Sequence, residues 1–141
     1  MNGVTVETIV NKICESLQIK KVQLAKMIGV NESTISSNLS KPISEVAGKK
    51  AGKRLLALSF VVLNLATGIY SAQAIIEGIN EPTIPNSLGY KDSVISAIQA
   101  GRAIEPQILL EKAQTGIDQY RVKKTRVNED LCSEVQKVLS A

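Results

Sequence analysis

No histidine occurs in this chain, and its two cysteines, Cys14 and Cys132, lie far too distant in sequence for a C-x-x-C pair. General acid–base chemistry near neutral pH therefore loses its usual agent, and the commonest metal ligand is missing. The cysteines read as ordinary reduced thiols. With no constellation of nucleophile, base and orienting group, the chain is not expected to be an enzyme, and no cofactor or metal is implied. What its residue types can do is neutralise anions and form short polar contacts. Nine Lys/Arg and four Asp/Glu precede Leu55, three and six lie between Leu55 and Tyr120, and five and three follow. A basic front segment joined to a mildly acidic, apolar one fits a nucleic-acid head with a protein-contacting body, although a solvated surface gives the same charge pattern. Recognition of single strands by aromatic stacking is disfavoured, because only Phe60, Tyr70, Tyr90 and Tyr120 are aromatic.

The elements that must position these groups are helical. Thr5 caps a helix whose apolar residues Val6, Ile9, Val10, Ile13 and Leu17 follow helical spacing. A second helix runs from Val22 to Ile28 and stops at Gly29. A third starts after Asn31 as its cap, with Glu32 in its first turn, and Pro42 soon ends it. Leu55 to Ile76 is an uncharged run of 22 residues, flanked by Lys49, Lys50, Lys53 and Arg54. That is long enough to cross a bilayer, so a membrane-tethered protein is one reading. Ser59, Asn64, Thr67, Ser71 and Gln73 interrupt the run, which favours a buried helix over residues 47–66 and a second over 71–78. Residues 80–86 read as a loop. Asp92 is expected to cap a short helix, and Pro106 to open the next, although Gly116 weakens that one. Asn128 is expected to cap a separate terminal helix striped by Leu131, Val135, Val138 and Leu139. No alternating strand pattern of useful length appears. The expected class is all-α, with a head over residues 1–45 and a helical dimerisation or partner-binding domain over 46–141.

The segment IKKVQLAKMIGVNESTISSNLSKP resembles the helix-turn-helix of the Xre, or lambda-repressor-like, family through Leu24-Ala25, Gly29-Val30, Ser33-Thr34-Ile35-Ser36 and Leu39. Ala25 is small where two helices approach, Gly29 permits the turn, and Val30, Ile35 and Leu39 fill the space beneath the third helix. Lys21 stands where members often carry Gln. The resemblance implies a cytoplasmic transcriptional regulator, repressor-like and of phage, plasmid or chromosomal origin, bound as a homodimer to an inverted repeat in double-stranded DNA. It implies base contacts from Glu32, Ser33, Thr34, Ser37 and Asn38, and phosphate contacts from Lys20, Lys21, Asn31 and Lys41. The bland alternative is a three-helix unit packed on a protein, with the serines merely covering its surface.

The stretch from Arg54 to Ile98 resembles the toxin-binding half of Xre/MbcA/ParS antitoxins in the order of its helices, proline-bearing loop and glycine turn. It lacks the tryptophan of that family, and about forty residues follow it. This resemblance implies an antitoxin or adaptor that binds a protein partner such as a toxin through residues beyond Leu55. The basic group Arg121, Lys123, Lys124 and Arg126 reads as a solvated connector or as an additional DNA-backbone contact.

Overall fold

Apolar residues recur at helical spacing along most of the chain, and the computed structural model, which describes residues 3–141, turns them into eight helices and one minimal hairpin among those residues. They are α1 (Val6–Leu17), α2 (Lys21–Ile28), α3 (Glu32–Ser36), α4 (Ile43–Val46), α5 (Lys50–Ala66), α6 (Ala72–Asn80), α7 (Val94–Gln99) and α8 (Pro106–Ser140). Thr5 caps α1 as its position suggests, its hydroxyl accepting from the Thr8 N–H at 3.3 Å. α5 is the central element. α1, α2, α4, α6, α7 and α8 all pack on it, and Leu55, Leu58, Val61, Val62 and Leu65 are buried along it. One hydrophobic cluster runs unbroken from Val6 and Leu24 through α5 to Ile79, Ile98 and Ile117.

The uncharged run divides as its polar interruptions suggest. α5 ends at Ala66, Ser71 caps α6, and no helix among the described residues is long and apolar enough to cross a membrane. Elsewhere the structure departs from expectation. The central helix begins at Lys50 rather than residue 47, because residues 43–46 form α4 and Gly52 presses against the Val46 carbonyl, where a Cβ has no room. A strand pair does form, with Ile84–Pro85 (β1) antiparallel to Lys91–Asp92 (β2). It is too short for an alternating pattern to register, and Pro85 is tolerated because a two-strand ribbon is all edge.

Ser93, not Asp92, caps α7, its Oγ accepting from the Ser96 N–H at 3.0 Å. Asp92 is occupied otherwise, accepting from Arg102 at 3.1 Å and from the Asn86 amide at 3.3 Å. Asn31 precedes α3 with extended backbone, but its side chain makes no capping bond. The largest correction concerns the end of the chain. Asn128 starts no helix, because α8 runs through it without a break from Pro106 to Ser140. A residue caps only where the chain upstream has left the helix. Residues 117–140 contain neither Gly nor Pro to make it leave.

Candidate nucleic-acid interface

α2 closes at Gly29, which adopts φ +71°, and its last turn is tied off by the Gly29 N–H on the Lys26 carbonyl and the Val30 N–H on the Ala25 carbonyl. Helix ends leave carbonyls without intrahelical partners, and this one is capped from two distant elements. The Arg54 guanidinium of α5 donates to the carbonyls of Ile28 (2.9 Å) and Gly29 (3.2 Å). The Gln99 amide at the end of α7 donates to those of Met27 (2.7 Å) and Lys26 (3.2 Å). A Cβ at Gly29 would meet both side chains. The direction in which residues 29–31 deliver α3 is thus fixed from behind by the body of the protein. Ala25 and Ile35 are buried between α2, α3 and the core, and Val30 and Leu39 pack half-buried beside them.

α3 is a short helix with divided faces. Glu32, Ser33, Ser36 and Ser37 are exposed. Thr34 and Asn38 are half-buried and turn towards a groove of about 550 Å³ between α3 and the start of α5. There the Asn38 amide donates to the Thr34 carbonyl at 2.6 Å, and the Ser37 hydroxyl donates to the same carbonyl at 3.3 Å. The five residues expected at base edges therefore do not form one surface. Glu32, Ser33 and Ser37 share the outer face with Ser36, whereas Thr34 and Asn38 lie with Asn31 along the groove.

The expected phosphate ligands are also dispersed. Lys20 is exposed at the start of α2, its backbone N–H donating to the Gln23 side chain at 2.8 Å. Lys21 is half-buried and near enough to Cys14 to act on its thiol. Burial of Cys14 outweighs that charge and pushes the thiol pKa up. Lys41 is half-buried in the segment that follows α3, where its carbonyl accepts from the Val6 N–H at 3.0 Å and Thr5 bridges to Pro42. Two cations not assigned to this region from sequence, Lys49 and Lys50, line the groove opposite Thr34 and Asn38. They are the N-cap residue and the first residue of α5, and the doubled lysine is the sequence signal that marks them. Arg54 and Gln99 could not be found this way, because their partners lie 26 and 72 residues away.

Chemically the arrangement offers hydroxyls, one carboxylate and a scatter of ammonium groups around a small exposed helix. That suits hydrogen bonding to a polar, anionic surface. Among the described residues no group of three or more His, Cys, Asp or Glu is placed to hold a metal ion. Comparison with protein-family models, with curated proteins and with solved structures returns no match.

Proposed function

We propose that the protein is a transcriptional regulator that binds double-stranded DNA, laying the outer face of α3 in the major groove and acting as a dimer on an inverted repeat. The observation that carries this reading is the mounting of α3. A five-residue helix with three exposed polar residues, followed by an exposed Ser37, gains nothing for the core except Ile35, yet the turn that aims it is held by Arg54 and Gln99 from two other elements. Rigid presentation of a short polar helix is what reading base edges requires. Glu32 can accept from a cytosine amino group, and Ser33 and Ser37 can bond to several bases. Lys20, Lys21, Lys41, Lys49 and Lys50 would supply the phosphate contacts. None of the outer residues is an Arg or Asn fork, so one head binds weakly and two are needed.

Selection from a random duplex library, followed by binding titrations at several salt concentrations, tests this. The expected outcome is enrichment of a short inverted repeat. The logarithm of its affinity falls with log salt by about 0.9 for each phosphate engaged, and Lys20→Ala lowers that slope by about one unit. Ser33→Ala and Glu32→Ala change the preferred sequence rather than the slope. A flat salt response, or no enriched sequence, rejects the reading.

A further inference from the structure

α8 leaves the body of the protein at Tyr120, and every residue from Arg121 to Ala141 is exposed. Its root is fixed. The Arg121 guanidinium lies over the Tyr70 ring at 5.1 Å, and the Lys123 ammonium donates to Glu81 at 2.7 Å. Beyond that point the helix projects alone, for about 25 Å at 1.5 Å per residue. Val127, Leu131, Val135, Val138 and Leu139 recur at four- and three-residue intervals and so share one face, which prolongs the face that Leu109, Ala113 and Ile117 bury in the core. Leu131 is 59% exposed and Val138 76%. A lone helix of this length is marginal in water, and most helices in proteins are held by burying an apolar face.

We infer that this stripe is the docking surface for the same stripe of a second copy, the two helices running antiparallel. The charge pattern selects both the occupant and the direction. Arg121, Lys123, Lys124 and Arg126 crowd the root without an acidic residue among them, whereas Glu129, Asp130 and Glu134 outnumber Lys137 beyond it. A parallel pair would set roots against roots and acids against acids. An antiparallel pair crossing near Leu131 brings Lys124 and Arg126 towards Glu134 of the second copy, and it opposes the two helix dipoles. One segment thus carries both halves of a complementary surface, as a two-fold interface requires. The pair would supply the dimer that the proposed function calls for. It rests on that reading only in this, because it is measured without DNA.

The full chain is examined by sedimentation equilibrium, with Leu131→Glu/Val135→Glu as the interface variant. Those side chains touch nothing in the body, so the variant keeps its fold, which circular dichroism of the core transition checks. The expected mass is twice 15.2 kDa for the native chain and 15.2 kDa for the variant. Spin labels at Ser140→Cys, with Cys14→Ser and Cys132→Ser, give the direction. In the antiparallel pair they lie more than about 25 Å apart by helix rise, in a parallel pair side by side. A monomeric native chain, a dimer that survives the double substitution, adjacent labels, or a different protein occupying the stripe in place of a second copy each overturns the inference. DNA binding by a monomeric native chain would overturn it while leaving the reading head intact.

Discussion

Arg54 shows how much of this protein hangs on single side chains. Its guanidinium spans two carbonyls at the end of α2, and hydrogen bonds to a charged donor contribute about 1.5–3 kcal/mol each at most. Because the side chain is only half-buried, Arg54→Ala is expected to cost about 1–2 kcal/mol in urea unfolding, and Arg54→Lys, with one compact donor in place of a fork, to recover only part of it. Under the proposed DNA-binding function, the effect on DNA affinity should exceed the effect on stability, since a loosened turn no longer aims α3. Equal losses in the two measurements would reduce Arg54 to a structural staple. The cysteines differ in a way that can also be read out. Burial favours the neutral Cys14 thiol, so its thiolate fraction at a given pH is smaller than an ordinary thiol's, whereas Cys132 stands in water on the projecting helix. At pH 8 a thiol reagent should label Cys132 first, with Cys14 following as pH rises and more of it ionises. Peptide mapping of the labelled sites, with Cys14 modified first, would contradict this. Neither the role of Arg54 nor the shielding of Cys14 is legible in the sequence, because each depends on which remote residue arrives beside it.

Among the elements, α6 and α8 make the most extensive contact. Gly78 and Gly116 face each other there: a Cβ on Gly78 would strike Ile117, and one on Gly116 would strike the Gly78 carbonyl. The sequence marks Gly116 only as a weak spot in a helix. The structure gives the opposite weight, since the missing side chain lets two backbones meet and brings Ala113 and Ile117 into the core. Gly116→Ala, which should gain about 1 kcal/mol from helix propensity alone, is therefore expected to destabilise by about 1–3 kcal/mol through overpacking, measured by denaturant unfolding. A stabilised Gly116→Ala chain would mean that the helices separate without cost. The helices themselves are largely readable from spacing and caps, as Thr5, Gly29 and Pro106 show. What spacing could not reveal was continuity, because Asn128 followed by two acids has the composition of a helix start whether or not the chain has stopped upstream.

For the whole molecule, the continuous core and the projecting helix make separate demands. Val10, Ile13, Leu17 and Leu24 bury their faces against α5 and the helices beyond it, so residues 1–45 alone would expose the surface that holds them together. The sequence suggested a head and a second half because charge and composition change near residue 50. Charge describes the surface, however, and carries no information about whether the core continues beneath it. Loss of residues 124–141 removes only exposed side chains, which typically changes intrinsic stability by no more than about 0.5 kcal/mol. If those residues pair two copies, though, association adds to the stability of the full chain by mass action. The thermal midpoint of the full chain should then climb with protein concentration, while that of residues 1–123 stays constant. At the highest dilution the two should meet within about 2 °C, since the core they share is the same. Midpoints that rise together would place the pairing surface on the body, and midpoints that stay apart at every dilution would mean that the projecting helix stabilises its own chain.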